Sequence, residues 1–173
     1  SGRSDPAASA PVHAGGERGC SICTLKSVAT KPASPDTPKR QRPKVRLHVF
    51  LARRAPTAVI LRTGPSKWAE MIRWDLRKDT FERGQWFHGS IYPERCDVSP
   101  DGTKFLYFVG QWKPGGIAGT WTAISAPPYF TANVLWPVGD TWGGGGYFVD
   151  DRHVVVNHGT ATHPDFPAKG LVV

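Results

Sequence analysis

The sequence predicts an all-β fold of antiparallel strands over residues 45–173, behind a basic, disordered tail at 1–44. Three observations carry this expectation. The 173 residues include 19 glycines and 16 prolines, a turn-rich composition that suits short strands better than long helices. From Val45 onward, apolar residues fall in short runs separated by polar turn clusters. The turn Ser99-Pro100-Asp101-Gly102 leads almost at once into Phe105-Leu106-Tyr107-Phe108. Proline presets φ, glycine supplies a positive φ, and the aromatic run that follows reads as a mostly buried strand.

Taken in order, residues 1–44 are dominated by Ala, Ser, Pro, Gly and Lys, with Ile22, Leu25 and Val28 interrupting the polarity. Such a segment buries too little apolar area to offset its ordering entropy. Its proline-rich end, with Lys39-Arg40-Gln41-Arg42-Pro43-Lys44, should be extended and polyproline-like. Strands are then expected at 45–52, 57–62, 68–75, 80–87, 104–110, 119–125, 129–136, 145–149 and 153–157. Val45-Arg46-Leu47-His48-Val49 alternates, and Val49 and Leu51 are assigned to the core. Thr57-Ala58-Val59-Ile60-Leu61 is continuously apolar, as in a strand covered on both faces. Trp68 to Asp75 has a spacing that a helix could share. Gly64-Pro65 before it and Asp75 after it favour a short strand, and the polar Arg77-Lys78-Asp79 that follows reads as a hairpin turn. Asp150-Asp151-Arg152, between Tyr147-Phe148-Val149 and Val154-Val155-Val156, reads as another hairpin turn. Val59, Leu61, Ile72, Trp74, Phe105, Tyr107, Ile124, Leu135, Phe148 and Val155 complete the expected core.

A turn-then-strand unit recurs three times, around Arg54 to Leu61, Ser99 to Phe108 and Val149 to Val156. From Pro56 to Asp101 is 45 residues, and from Asp101 to Asp151 is 50. Trp68 and Trp121 open the strands that follow the first two units. The run from Cys96 to Phe108 resembles the start of a blade in WD-like and Tol-type β-propeller repeats, whose period is about 40–50 residues. The resemblance covers about 45–157 and concerns architecture alone. It implies about two and a half blade-like repeats, fewer than the four a closed propeller needs. The fold is therefore expected as a partial propeller, an open sheet or a small sandwich.

The net charge of +8 favours acidic partners in a general way. It is uneven: residues 1–44 carry eight basic and three acidic side chains, so the tail holds most of the excess. No run of about twenty apolar residues exists to span a membrane. No basic-then-apolar leader opens the chain, which begins at Ser1 and has its one methionine at Met71, as in a trimmed or partial reading frame. Three cysteines do not form a disulfide framework, which favours a reducing, cytoplasmic compartment.

Cys20-Ser21-Ile22-Cys23 has the Cys-x-x-Cys spacing of half a zinc site, but no second pair of ligands accompanies it. Gly143 to Gly146 precedes a strand rather than a helix, so its expected role is close backbone approach to a neighbouring strand or ring, not phosphate binding. His88 is a candidate general base with Glu94 or Asp97 to orient it. Seven tryptophans, all between Trp68 and Trp142, belong mostly to the core. Trp112 and Trp142 fall in loops and are the candidate binding residues. No cofactor is expected. The leading functional expectation is a non-enzymatic, propeller-like module that meets a protein or glycan partner at its loops. An alternative is a nucleic-acid-binding protein using the basic tail and exposed aromatics. A second is a glycan hydrolase with Glu94 and Asp97 as its carboxylate pair.

Overall fold

The computed structural model describes residues 44–112, 117 and 119–173. The expected tail, Lys44 apart, and the Cys20/Cys23 pair lie outside the described residues. Eleven strands follow one another: β1 (Arg46–Leu51), β2 (Thr57–Thr63), β3 (Trp68–Asp75), β4 (Thr80–His88), β5 (Ser90–Ile91), β6 (Asp97–Val98), β7 (Phe105–Gly110), β8 (Thr120–Ser125), β9 (Ala132–Pro137), β10 (Gly146–Phe148) and β11 (Val154–Val156). The fold is all-β and every pairing between these strands is antiparallel. The first sheet is the meander β1-β2-β3-β4, the second β5-β7-β8-β9 with β6 also on β7, and the third β10-β11.

The expected hairpin turns form by side-chain capping. Asp75 Oδ1 accepts the N–H groups of Arg77 and Lys78 at 2.9 and 3.2 Å, closing the β3–β4 turn. The same two N–H groups, led by that of Lys78, hold the Asp75 carboxyl below its usual value. Asp150 does the same between β10 and β11, accepting from Arg152 and His153 at 2.8 Å each. The Ser99–Gly102 turn closes with Gly102 N–H donating to Ser99 O at 2.8 Å. Gly102 has φ +73, as the turn reading requires. The strand before β7 is cut in two by a single 3-10 turn at Pro93–Arg95, which leaves β5 and β6 only two residues each.

Side-chain alternation sorts these strands into layers. Val59, Leu61 and Met71 of the first sheet pack on Phe105, Tyr107, Val109, Trp121, Ala123 and Leu135 of the second. The opposite face of the second sheet, Leu106, Ile124, Val134 and Trp136, is covered by Phe148 and Val154 of the third sheet and by Ala168 and Leu171. The second sheet is thus the middle layer, and every residue of β7 and β8 is buried. Each of these aromatic or branched side chains contributes roughly 1.5–3 kcal/mol on burial.

Seven of the twelve expected core residues are buried: Val59, Leu61, Phe105, Tyr107, Ile124, Leu135 and Phe148. Ile72 and Trp74 are half-buried. Val49, Leu51 and Val155 must be corrected, because all three are exposed. Val49 stands opposite Ile60 and Leu51 opposite Ala58, on the outer face of the first sheet. The inward places on β1 go to His48 and Phe50, and Phe50 meets Phe105 edge-on with centroids 5.1 Å apart. A period of two fixes which residues share a face but not which face turns inward. Val155 sits opposite Tyr147 on the outer side of the third sheet.

The three turn units meet at one end of the layers. Arg54 N–H donates to Pro100 O at 2.8 Å and Asp101 N–H to Asp151 Oδ1 at 3.0 Å. The Arg54 guanidinium pairs with the Asp151 carboxylate.

Candidate functional site

The outer face of the first sheet carries a group of exposed apolar side chains around a buried centre at Ala58 and Ile60. Register places Leu47, Val49 and Leu51 of β1 beside Arg62, Ile60 and Ala58 of β2. These stand beside Glu70, Ile72 and Trp74 of β3, and Phe81 of β4 faces Trp74. Leu47 is 64% exposed, Leu51 60% and Phe81 56%. Trp74 and Phe81 stack at 5.3 Å. Strands about 4.8 Å apart and about seven residues long make a face of roughly 350 Å².

A charged cluster interrupts this face. The Glu70 side chain is almost fully buried, yet it is a carboxylate on a strand that opens outward. Arg83 Nε donates to Glu70 Oε1 at 2.6 Å, and Arg62 Nη1 lies 3.7 Å from Oε2. Donating this hydrogen bond to Glu70 raises the Arg83 guanidinium above its ordinary value. A bulge between Glu70 and Ile72 lets Arg83 and Trp86 both reach outward, while Gly84 and Gln85 meet the second sheet's Pro128 loop. The Arg62 guanidinium lies 5.0 Å from the Trp86 ring centroid, a cation–π contact. The two arginines neutralise Glu70 and leave one surplus positive charge on an aromatic surface.

That surface continues around the end of the sheets opposite the turn cluster. Trp68 meets Trp86 edge-on at 6.4 Å and 77°, and its other neighbour is the His88 ring at 4.7 Å. His88 O accepts from Gln111 Nε2 at 2.9 Å, which carries the surface across to Trp112. Arg62, Pro65, Trp68 and Trp86 line an open depression of about 460 Å³. Smaller clefts flank it at Lys44, Arg46 and Lys67 on one side and at His88, Gln111 and Trp112 on the other.

The structure distributes the residues singled out from sequence as follows. Trp112 is 63% exposed and Trp142 93%, both in loops at this same end. His88 closes β4 with its ring tilted against Trp68, whereas Asp97 is in β6 with its Oδ2 accepting Phe148 N–H at 2.8 Å. Asp97 pairs with Leu106, while Ser90, two residues past His88, pairs with Gly110. Four residues along β7 separate them by about 13 Å, so the structure does not bring His88 and Asp97 together. Glu94 is exposed on the 3-10 turn. Burial pushes the Cys96 thiol up to about 12. No group of three metal-ligating side chains occurs among the described residues. The glycine run takes its expected role: Gly144, at φ +99, lies so close to Phe108 that a Cβ would sit 2.0 Å from the ring.

Sequence reasoning missed Arg62, Glu70 and Arg83, and assigned no binding role to Trp68 or Trp86. The available signal was the alternation of Trp68, Glu70, Ile72 and Trp74 in one strand, which puts a carboxylate between large apolar residues on one face. Compared with known proteins, the chain matches no family model, no curated protein and no solved structure. No helix among the described residues is long and apolar enough to cross a membrane.

Proposed function

We propose that this chain is a sheet-stacking interaction module of propeller-like arrangement, which binds another antiparallel sheet against the outer face of β1–β4. One observation carries the reading: Leu47, Val49, Leu51 and Phe81 stand exposed on a face whose neighbouring layers are built by covering such faces. Three sheets follow in chain order, each laid on the one before, and the three turn units meet at one end. These features support successive blade-like repeats. The fitting partner surface is therefore a further β-sheet with an apolar face, packed aligned as sheets in sandwiches are. In a solution of this chain alone, that surface is the same face of a second copy.

The face falls short of the roughly 800 Å² per partner that a standard stable interface buries, so self-association should be weak, with a Kd on the order of micromolar or above. Sedimentation equilibrium of the full chain tests this against Leu51→Lys and Phe81→Lys. Both side chains are more than half exposed, so the fold should tolerate the change. The expected result is concentration-dependent dimer in the parent and monomer in both variants, at unchanged Tm. A parent that stays monomeric at all concentrations, or variants that associate like the parent, would overturn the reading.

A further inference from the structure

We infer that the tryptophan end of the fold is a binding groove for single-stranded nucleic acid. It begins at Trp86 and Arg62, crosses Trp68 and Lys67, and continues past His88 to Trp112. Among the described residues its cations are Lys44, Arg46, Arg62 and Lys67, and no described aspartate or glutamate lines it. Glu70, the carboxylate beneath Arg62, is buried and already paired with two arginines. The groove therefore presents positive charge beside open aromatic faces. Phosphates along a single strand supply the anion, and unpaired bases supply planar rings to stack.

The rings are held, not loose. Trp68 follows a turn in which Ser66 and Lys67 both have positive φ, +56 and +64, a region that residues with side chains rarely adopt. That turn is closed by Gly64 N–H to Trp68 O at 2.7 Å and tied to the end of β4 by Gly89 N–H to Lys67 O at 2.9 Å. It sets the Lys67 backbone between the Trp68 and Trp112 clefts, and Lys67 lines both. Trp112 rests on Gly119, where a Cβ would come within 2.6 Å of the ring. At 63% exposure the residue keeps most of its surface open among the described residues, which leaves ring area for a base to stack on.

A polymer fits better than a small anion. The basic residues Lys39, Arg40 and Arg42 lead in sequence directly to Lys44 and Arg46, which line the groove. The groove's own cations are spread over three adjoining clefts, a spacing that several phosphates of one strand match better than a single small anion. A duplex would hide its base faces from Trp68 and Trp112, so the single strand is favoured.

The test is tryptophan-quenching titration of the full chain with poly(dT), between about 50 and 200 mM salt. Trp68→Ala and Trp112→Ala should each weaken binding about ten-fold, as loss of a stacked base does, with the salt slope unchanged. Lys67→Glu and Arg46→Glu should each flatten the slope of log K against log salt by about 0.7. Trp112→Ala, on an exposed loop residue, guards against loss of fold at Trp68, and melting curves verify both. Leu51→Lys and Phe81→Lys, which disable the proposed sheet contact, should leave poly(dT) affinity unchanged, so the two proposals fail separately. Parallel arms with duplex DNA and a sulfated glycan identify the ligand class. The inference is overturned if either polymer competes as well as poly(dT). It is also overturned if Trp68→Ala and Trp112→Ala bind like the parent while neutralising Lys39, Arg40 and Arg42 abolishes binding.

Discussion

Gly102→Ala puts a number on the turn that leads into β7. Gly102 has φ +73, and a Cβ there would stand 2.0 Å from Thr57 Cγ2 and 3.2 Å from Ala52 Cβ. Two costs add. Holding alanine in the left-handed region costs about 1–2 kcal/mol. Displacing the Thr57 methyl costs roughly 1–2 kcal/mol more, because Thr57 is tied by its Oγ1 to Trp74 O at 3.1 Å and cannot simply rotate away. The expected loss is therefore about 2–4 kcal/mol, or roughly 6–16 °C in Tm for a domain of this size. Urea unfolding followed by tryptophan fluorescence measures it. Thr57→Ala removes the obstructing methyl, so the double variant should recover the steric part and show a coupling of about 1–2 kcal/mol. A Gly102→Ala loss under about 0.5 kcal/mol, or no coupling with Thr57→Ala, would refute the geometry.

Further outcomes follow from the same structure. In a Cys20→Ser/Cys23→Ser background, Cys96 should resist thiol reagents from pH 7 to 9, because burial holds it near 12; unfolding in urea should release it. The Asp150 carboxyl is held down at about 2, first by the Arg152 N–H and then by His153. Its folded value lies below the unfolded value, so its contribution is complete above about pH 4 and is lost as pH falls toward 2. Asp150→Asn should flatten that part of the acid denaturation curve. Arg83→Met should destabilise by leaving buried Glu70 with only Arg62 at 3.7 Å, and Glu70→Gln in the same chain should restore part of the loss. Equilibrium unfolding of the two variants and their combination measures that coupling.

Much of the fold was legible because the middle sheet is covered on both faces. Phe105 to Val109 is apolar at every position, which no exposed strand could sustain in a soluble layer. The turns were legible because Asp75, Asp101 and Asp150 cap their own backbones locally. Two features were not. Which face of β1 turns inward depends on Phe50 finding Phe105, more than fifty residues away in sequence. β5 and β6 owe their existence to pairing with β7 around a proline turn, and two residues carry no periodic signal. The candidate surface was harder still. Trp112 and Trp142 were visible as loop residues, but Arg62, Glu70 and Arg83 become a cluster only through strand register and a bulge.

Hydroxyl-radical footprinting at low and high protein concentration tests the outer-face proposal most directly. The account predicts that Leu47, Leu51, Trp74 and Phe81 lose labelling together as the chain associates. Trp142, 93% exposed in its loop, should be labelled equally at both concentrations. Unchanged labelling across β1–β4 during association, with protection at Trp142 instead, would contradict it.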